Sequence, residues 1–195
     1  MMRSFILLAL FAWGITGCGE APQNRPTENN AFDPKPYHLK GKVIADSAFK
    51  ALSSHLLQAM QEGGPTAALE VCQLKAMPII DSLSEEYGVQ IKRTSPKLRN
   101  PANAPDSLER EILTHYSARW ESGNRQSLVV PAGKRVRFFS PIGVKPLCIV
   151  CHGKPEGQLK ERLKKIYPDD AAVGYSEGEF RGIWSIQFSE DYGAI

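Results

Sequence analysis

Cys148-Ile149-Val150-Cys151-His152 sets two thiols with two residues between them and an imidazole directly after the second. Thiols at that spacing reach the two vinyl groups on one porphyrin edge and bond to them as thioethers, while the adjoining histidine turns its ring under the iron. The pattern predicts covalent attachment of one haem c through Cys148 and Cys151, with His152 as the proximal iron ligand. Chance would produce it in on the order of one in a thousand chains of this length, so it carries more weight than a lone pair of cysteines. Two other chemistries use paired cysteines. A zinc site needs a second Cys or His pair at ligand spacing, and a thioredoxin-like dithiol needs a βαβ setting; the sequence offers neither.

Haem attachment of this kind takes place outside the bacterial cytoplasm, and the N-terminus agrees with export. Residues 1–17 hold one basic residue, Arg3, then an apolar run over residues 5–13, then Gly14-Ile15-Thr16-Gly17 ahead of Cys18. The run is too short to span a bilayer and ends in small residues before a cysteine, as a signal peptide with a lipobox does. Cys18 is the expected lipidation site, which would make the mature chain a membrane-anchored lipoprotein facing the periplasm. Residues 18–42 are polar and rich in Pro, Asn and charge, and are expected to form a flexible tether. The folded body is expected over residues 43–195, enough for one domain with a core.

The chain has four cysteines, a number that would ordinarily suggest two disulfides in an exported protein. Lipid accounts for Cys18 and thioether bonds for Cys148 and Cys151. Cys72 is left without a partner, on the apolar stripe of a helix, where it is either a small core residue or a ligand on the other face of the iron. Position alone leaves His38, His55, His115, Met60, Met77 and the lysines open as alternatives. A net charge of +3 with acids and bases interspersed supplies no basic face for nucleic acid. The locally basic residues 160–165 fit a solvated helix face.

The elements that must carry these residues follow from periodicity. Phe49, Leu52, Leu56, Leu57 and Met60 recur at helical spacing, and Gly63-Gly64 ends that run. Pro65 opens a second helix, with Leu69, Cys72, Ala76, Ile79, Ile80 and Leu83 on one stripe, a kink one turn before Pro78, and Gly88 as its cap. Residues 89–95 alternate like a strand, residues 96–105 form a proline-rich loop, and a third helix covers residues 106–120. Short strands follow at residues 127–131, 136–141 and 182–188, with the haem motif and a short helix over residues 158–166 between the last two. The fold class is α+β: N-terminal helices followed by a small antiparallel sheet enclosing one cofactor.

Longer stretches carry a resemblance. Ala68-Leu69-Glu70-Val71-Cys72-Gln73, the run from Arg93-Thr94-Ser95-Pro96 through Lys97-Leu98-Arg99-Asn100 to Pro101-Ala102-Asn103-Ala104-Pro105-Asp106, and Pro141-Ile142 occur in that order. After the haem motif come Tyr167-Pro168-Asp169-Asp170-Ala171, Gly174-Tyr175 and Arg181-Gly182. Together these segments resemble a family of bacterial exported c-type haem domains with a PAS-like fold, over nearly the whole chain from Val43 onward. Members occur alone and as sensor portions ahead of histidine kinases and cyclases. The resemblance implies haem ligation by the motif histidine and by a cysteine of the Val-Cys-Gln helix, here His152 and Cys72. Arg93, Lys97 and Arg99 then become candidate partners of the haem propionates. Tyr175, Arg181 and Trp184 are candidates for the pocket wall, and His115 for the surface.

A thiolate ligand stabilises ferric iron and lowers the reduction potential; if it leaves on reduction, a coordination position opens for NO or CO. The expected function is therefore a redox or diatomic-gas sensor. The alternative is a periplasmic electron-transfer protein with an unknown protein partner, because the chain has no kinase or cyclase sequence. A haem enzyme is the least supported reading, since the sequence shows no clear distal acid–base pair.

Overall fold

The computed structural model describes residues 32–190 and Tyr192. The expected signal peptide, Cys18 and the first part of the expected tether lie outside the described residues. Helix α1 runs Lys35–Leu74 and α2 runs Ala76–Tyr87. Gly64 breaks α1 at φ 68° and ψ −161°, just before Pro65, so the expected helix end and restart are both present as a kink within α1. Lys75 (φ −107°, ψ −20°) separates α1 from α2 one turn ahead of Pro78, and Gly88 closes α2 in the left-handed conformation.

The boundary expected at residue 43 is corrected, because residues 35–42 are helical. They pack against the sheet. Tyr37 meets Phe188 edge-on with ring centroids 5.2 Å apart, and His38 does the same to Phe138 at 6.0 Å. Gly41 is required there, since a Cβ would lie 2.3 Å from the Phe138 ring. The same small-residue stripe continues through Ile44, Ala45 and Ala48, all buried, while Phe49 and Leu57 of the expected apolar face are exposed. Small residues let the helix axis approach the sheet, so the larger side chains are turned to the flanks.

Strands β1 (Val89–Thr94), β2 (Leu128–Ala132), β3 (Arg135–Gly143) and β4 (Phe180–Phe188) form one antiparallel sheet in the order β1-β4-β3-β2. Helix α3 (Ser107–Arg119) follows the loop after β1, and α4 (Pro146–His152) and α5 (Gly157–Ile166) fill the connection between β3 and β4. Helix α4, which holds Cys148, Cys151 and His152, is not among the expected elements. Lys160, Lys164 and Lys165 are exposed on α5 while Leu163 is buried, the solvated face expected.

Strand alternation sorts the core into two layers. Val89, Ile91, Phe138, Trp184, Ile186 and Phe188 pack with Ile44, Ala48 and Ile80 of the first two helices. Phe139 and Ile183 point the other way and pack with Ile112, Leu113 and Tyr116 of α3. This α+β arrangement, helices first and then a four-stranded antiparallel sheet, is the one expected.

The α3 side carries a buried charge network. Asp106 caps α3 and exchanges a capping box with Glu109, whose side chain is 1% exposed. Arg137 reaches Glu109 Oε1 at 2.6 Å and Asp106 Oδ2 at 2.7 Å, and Lys92 reaches Glu109 Oε2 at 2.8 Å. Burial works to raise the Asp106 carboxyl, but the Glu109 N–H and Arg137 outweigh it and hold the group below its usual value.

Candidate functional site

Lys92 and Arg93 are neighbours on β1 and therefore face opposite sides of the sheet. Lys92 belongs to the α3 network, and Arg93 projects to the α1 side, its guanidinium 5.5 Å from the centroid of the Trp184 ring across the strand pair. On that side a cleft is lined by Leu56, Met60, Leu69 and Cys72 from α1, Leu147, Val150, Cys151 and His152 from α4, and Arg99 from the loop after β1. Cys72, Cys151 and His152, expected to act together, therefore share one cavity. Cys148 lies one helical turn before Cys151 on α4 and is partly buried over Val144, Ala172 and Tyr175. All three described cysteines are free thiols.

Cys72 was expected to be buried. It is solvent-accessible instead, and the surface it shows lines this cleft. Accessibility and crowding coexist because the cleft is narrow: desolvation raises the thiol's pKa, opposed by the positive charges of Arg93 and Arg99. Met60 is the other sixth-ligand candidate in the cleft. His38 is engaged with Ser127 at 2.7 Å, His55 is exposed, and His115 is half-buried on α3, 3.2 Å from Arg119.

His152 is held in a defined state. Its Nδ1 lies 2.7 Å from the Ala172 carbonyl oxygen, which can only accept, so Nδ1 carries the proton and Nε2 keeps a free lone pair. Burial, then the charges of Arg99 and Arg181, push its pKa down to about 3, against the Ala172 hydrogen bond, so the ring is neutral at ordinary pH. A neutral imidazole with a fixed tautomer is a metal ligand in waiting. Tyr175 stands edge-on to it, with ring centroids 6.3 Å apart, and Lys97 and Arg181 lie over the Tyr175 ring at 4.7 and 5.2 Å.

The basic residues divide. Arg99 is committed to the protein: Nε donates to Asp170 Oδ2 at 2.9 Å and Nη2 to the Cys151 carbonyl at 2.6 Å. Arg181 donates to Ser95 Oγ and, at 3.2 Å, to the Lys97 carbonyl. That contact needs Gly182, where a Cβ would fall 2.2 Å from the Thr94 carbonyl oxygen. Arg93 has the Trp184 face but no carboxylate among the described residues, and burial lowers its pKa, opposed by Cys72. Of the three expected propionate partners, Arg93 and Lys97 are the two that pair with no carboxylate among the described residues.

The donor set fits a covalently attached haem. Two thiols one turn apart, an imidazole with its Nε2 lone pair free, a third thiol in the same cleft and five apolar lining side chains are what such a group requires. Among the described residues no group of three or more His, Cys, Asp or Glu is placed to hold a metal ion by itself. No described helix is long and apolar enough to cross a membrane.

Fold and site together define a PAS-like α+β domain built around a Cys-x-x-Cys-His motif. The chain belongs to the Tll0287-like family, which matches residues 25–189. Among solved structures it is similar to the cyanobacterial heme-protein Tll0287, with a TM-score of 0.55 and 23% identity over 80% of this chain and 95% of that one. No curated protein matches it.

Proposed function

We propose that this chain is an exported protein with one covalently bound haem c, axially ligated by His152 and Cys72, that senses redox state or a diatomic gas such as NO or CO. The observation that carries the reading is the shared cleft of Cys72, Cys151 and His152, with the His152 tautomer set by Ala172. The family resemblance to a heme-protein supports it. When bound, the haem supplies a one-electron iron centre.

The chain's own residues do the rest. Cys148 and Cys151 anchor the group, and His152 donates from Nε2 while its Nδ1–H stays on Ala172. Cys72 as a thiolate would favour the ferric state, and the cleft it lines is accessible to a small ligand. Leu56, Leu69, Leu147 and Val150 give the cleft apolar walls, and Arg93 and Lys97 would be the cations to neutralise the propionates.

A second reading, electron transfer to a protein partner, is favoured by Met60, a thioether in the same cleft that would hold iron in both oxidation states. Anaerobic reduction separates the two. The sensor reading expects ferrous protein that binds CO or NO; an unchanged six-coordinate spectrum under CO would instead identify a carrier. The lipid anchor at Cys18 places the domain at the periplasmic face of a membrane in this account. Cys18→Ser should move the protein from the membrane to the soluble fraction, and continued membrane association would remove the anchor from the account.

A further inference from the structure

The Ala172 carbonyl oxygen accepts two donors: Nδ1–H of His152 at 2.7 Å and Nη2 of Arg99 at 3.3 Å. The same Nη2 holds the Cys151 carbonyl at 2.6 Å, and Nε of Arg99 holds Asp170 Oδ2 at 2.9 Å. Asp170 closes the circuit, its Oδ1 accepting from the Ala172 N–H at 2.8 Å. The Arg99–Asp170 pair is nearly dry, with side chains 11% and 9% exposed. Around it, Ala171 N–H donates to the Leu98 carbonyl at 2.9 Å and Tyr175 N–H to the His152 carbonyl at 2.9 Å, so three separate stretches of chain meet here. One guanidinium serving three acceptors uses the planar fork of arginine, which a lysine lacks.

We propose that Arg99 and Asp170 are a positioning pair that sets how strongly His152 donates to iron, acting through the Ala172 carbonyl. This rests on the haem reading given above. Arg99 draws on the same carbonyl electrons that polarise Nδ1–H, so His152 has less imidazolate character and favours ferric iron less. Its charge also opposes the extra positive charge of the ferric state, and Asp170 offsets that charge. Both effects have one sign for Arg99 and the opposite sign for Asp170. A pair that only pinned the loop would respond alike to loss of either member.

The test is the reduction potential of haem-loaded wild type, Arg99→Gln, Asp170→Asn and the double variant. The pair predicts a negative shift for Arg99→Gln, a positive shift for Asp170→Asn and a double variant close to wild type. Single-variant shifts in the same direction, or none, overturn it. Should Arg99→Gln fail to accumulate with haem, Asp170→Asn against Asp170→Glu decides. A positive shift that Glu restores supports the pair, and equal shifts or no shift refute it. A wild-type chain that carries no haem overturns the haem reading and the pair together, whereas haem-loaded proteins whose potentials move together overturn the pair alone.

Discussion

Cys148→Ser together with Cys151→Ser should abolish covalent haem, from about one per chain to none surviving denaturation, when the protein is exported from cells that assemble c-type haem. A hydroxyl forms no thioether, so the effect is all or none. Each single variant should retain one attachment at most. The measurement is haem stain on a denaturing gel, with the mass of the chain as the second readout. His152 and Cys72 remain in the double variant, so residual haem that washes out on denaturation is compatible with the account, while haem that stays bound is not. The fold should persist, because Cys148 and Cys151 are only partly buried and make no disulfide.

The largest effect on stability is expected from Glu109→Ala. Truncation leaves Lys92 without its carboxylate at 2.8 Å, leaves Arg137, 9% exposed, with Asp106 as its one remaining carboxylate among the described residues, and removes half of the α3 capping box. Breaking a buried pair by removing one partner costs about 3–5 kcal/mol. Denaturant unfolding should show a loss of that order, and a loss under about 1 kcal/mol would mean the network is solvent-relaxed. The same network has a pH signature. Asp106 is held below the 3.8 of an unperturbed aspartate, so its contribution is present above that pH and is lost as the pH falls through the folded value. Asp106→Asn should flatten the acid limb of the stability profile.

Much of the architecture was legible because hydrophobic spacing is a local signal. The breaks at Gly64 and before Pro78, the Gly88 cap, the three later strands and α5 all follow from residues next to them in sequence. The start of α1 was not legible, since a stripe of Gly41, Ala45 and Ala48 has little apolar contrast and its value depends on Phe138 far along the chain. Helix α4 was hidden by its brevity.

The site divides along the same line. Cys148, Cys151 and His152 form a contiguous motif, and Cys72 stood out once the other cysteines were accounted for. The partners that tune them were not visible. Ala172 acts through its carbonyl, which no side-chain pattern reports, and Arg99 meets an aspartate 71 residues away. The Asp169-Asp170-Ala171 stretch within the family resemblance was the one signal that pointed to that segment. A basic loop read as a propionate cradle proved to hold one cation, Arg99, that braces the motif itself.

The central claim, that one iron is held by His152 and Cys72, is tested most directly by ferric and ferrous absorption spectra of the haem-loaded protein beside Cys72→Ala. The account predicts a ferric thiolate signature in wild type that disappears in the variant while covalent haem is retained. Superimposable ferric spectra would contradict it and leave Met60 as the ligand to test in its place.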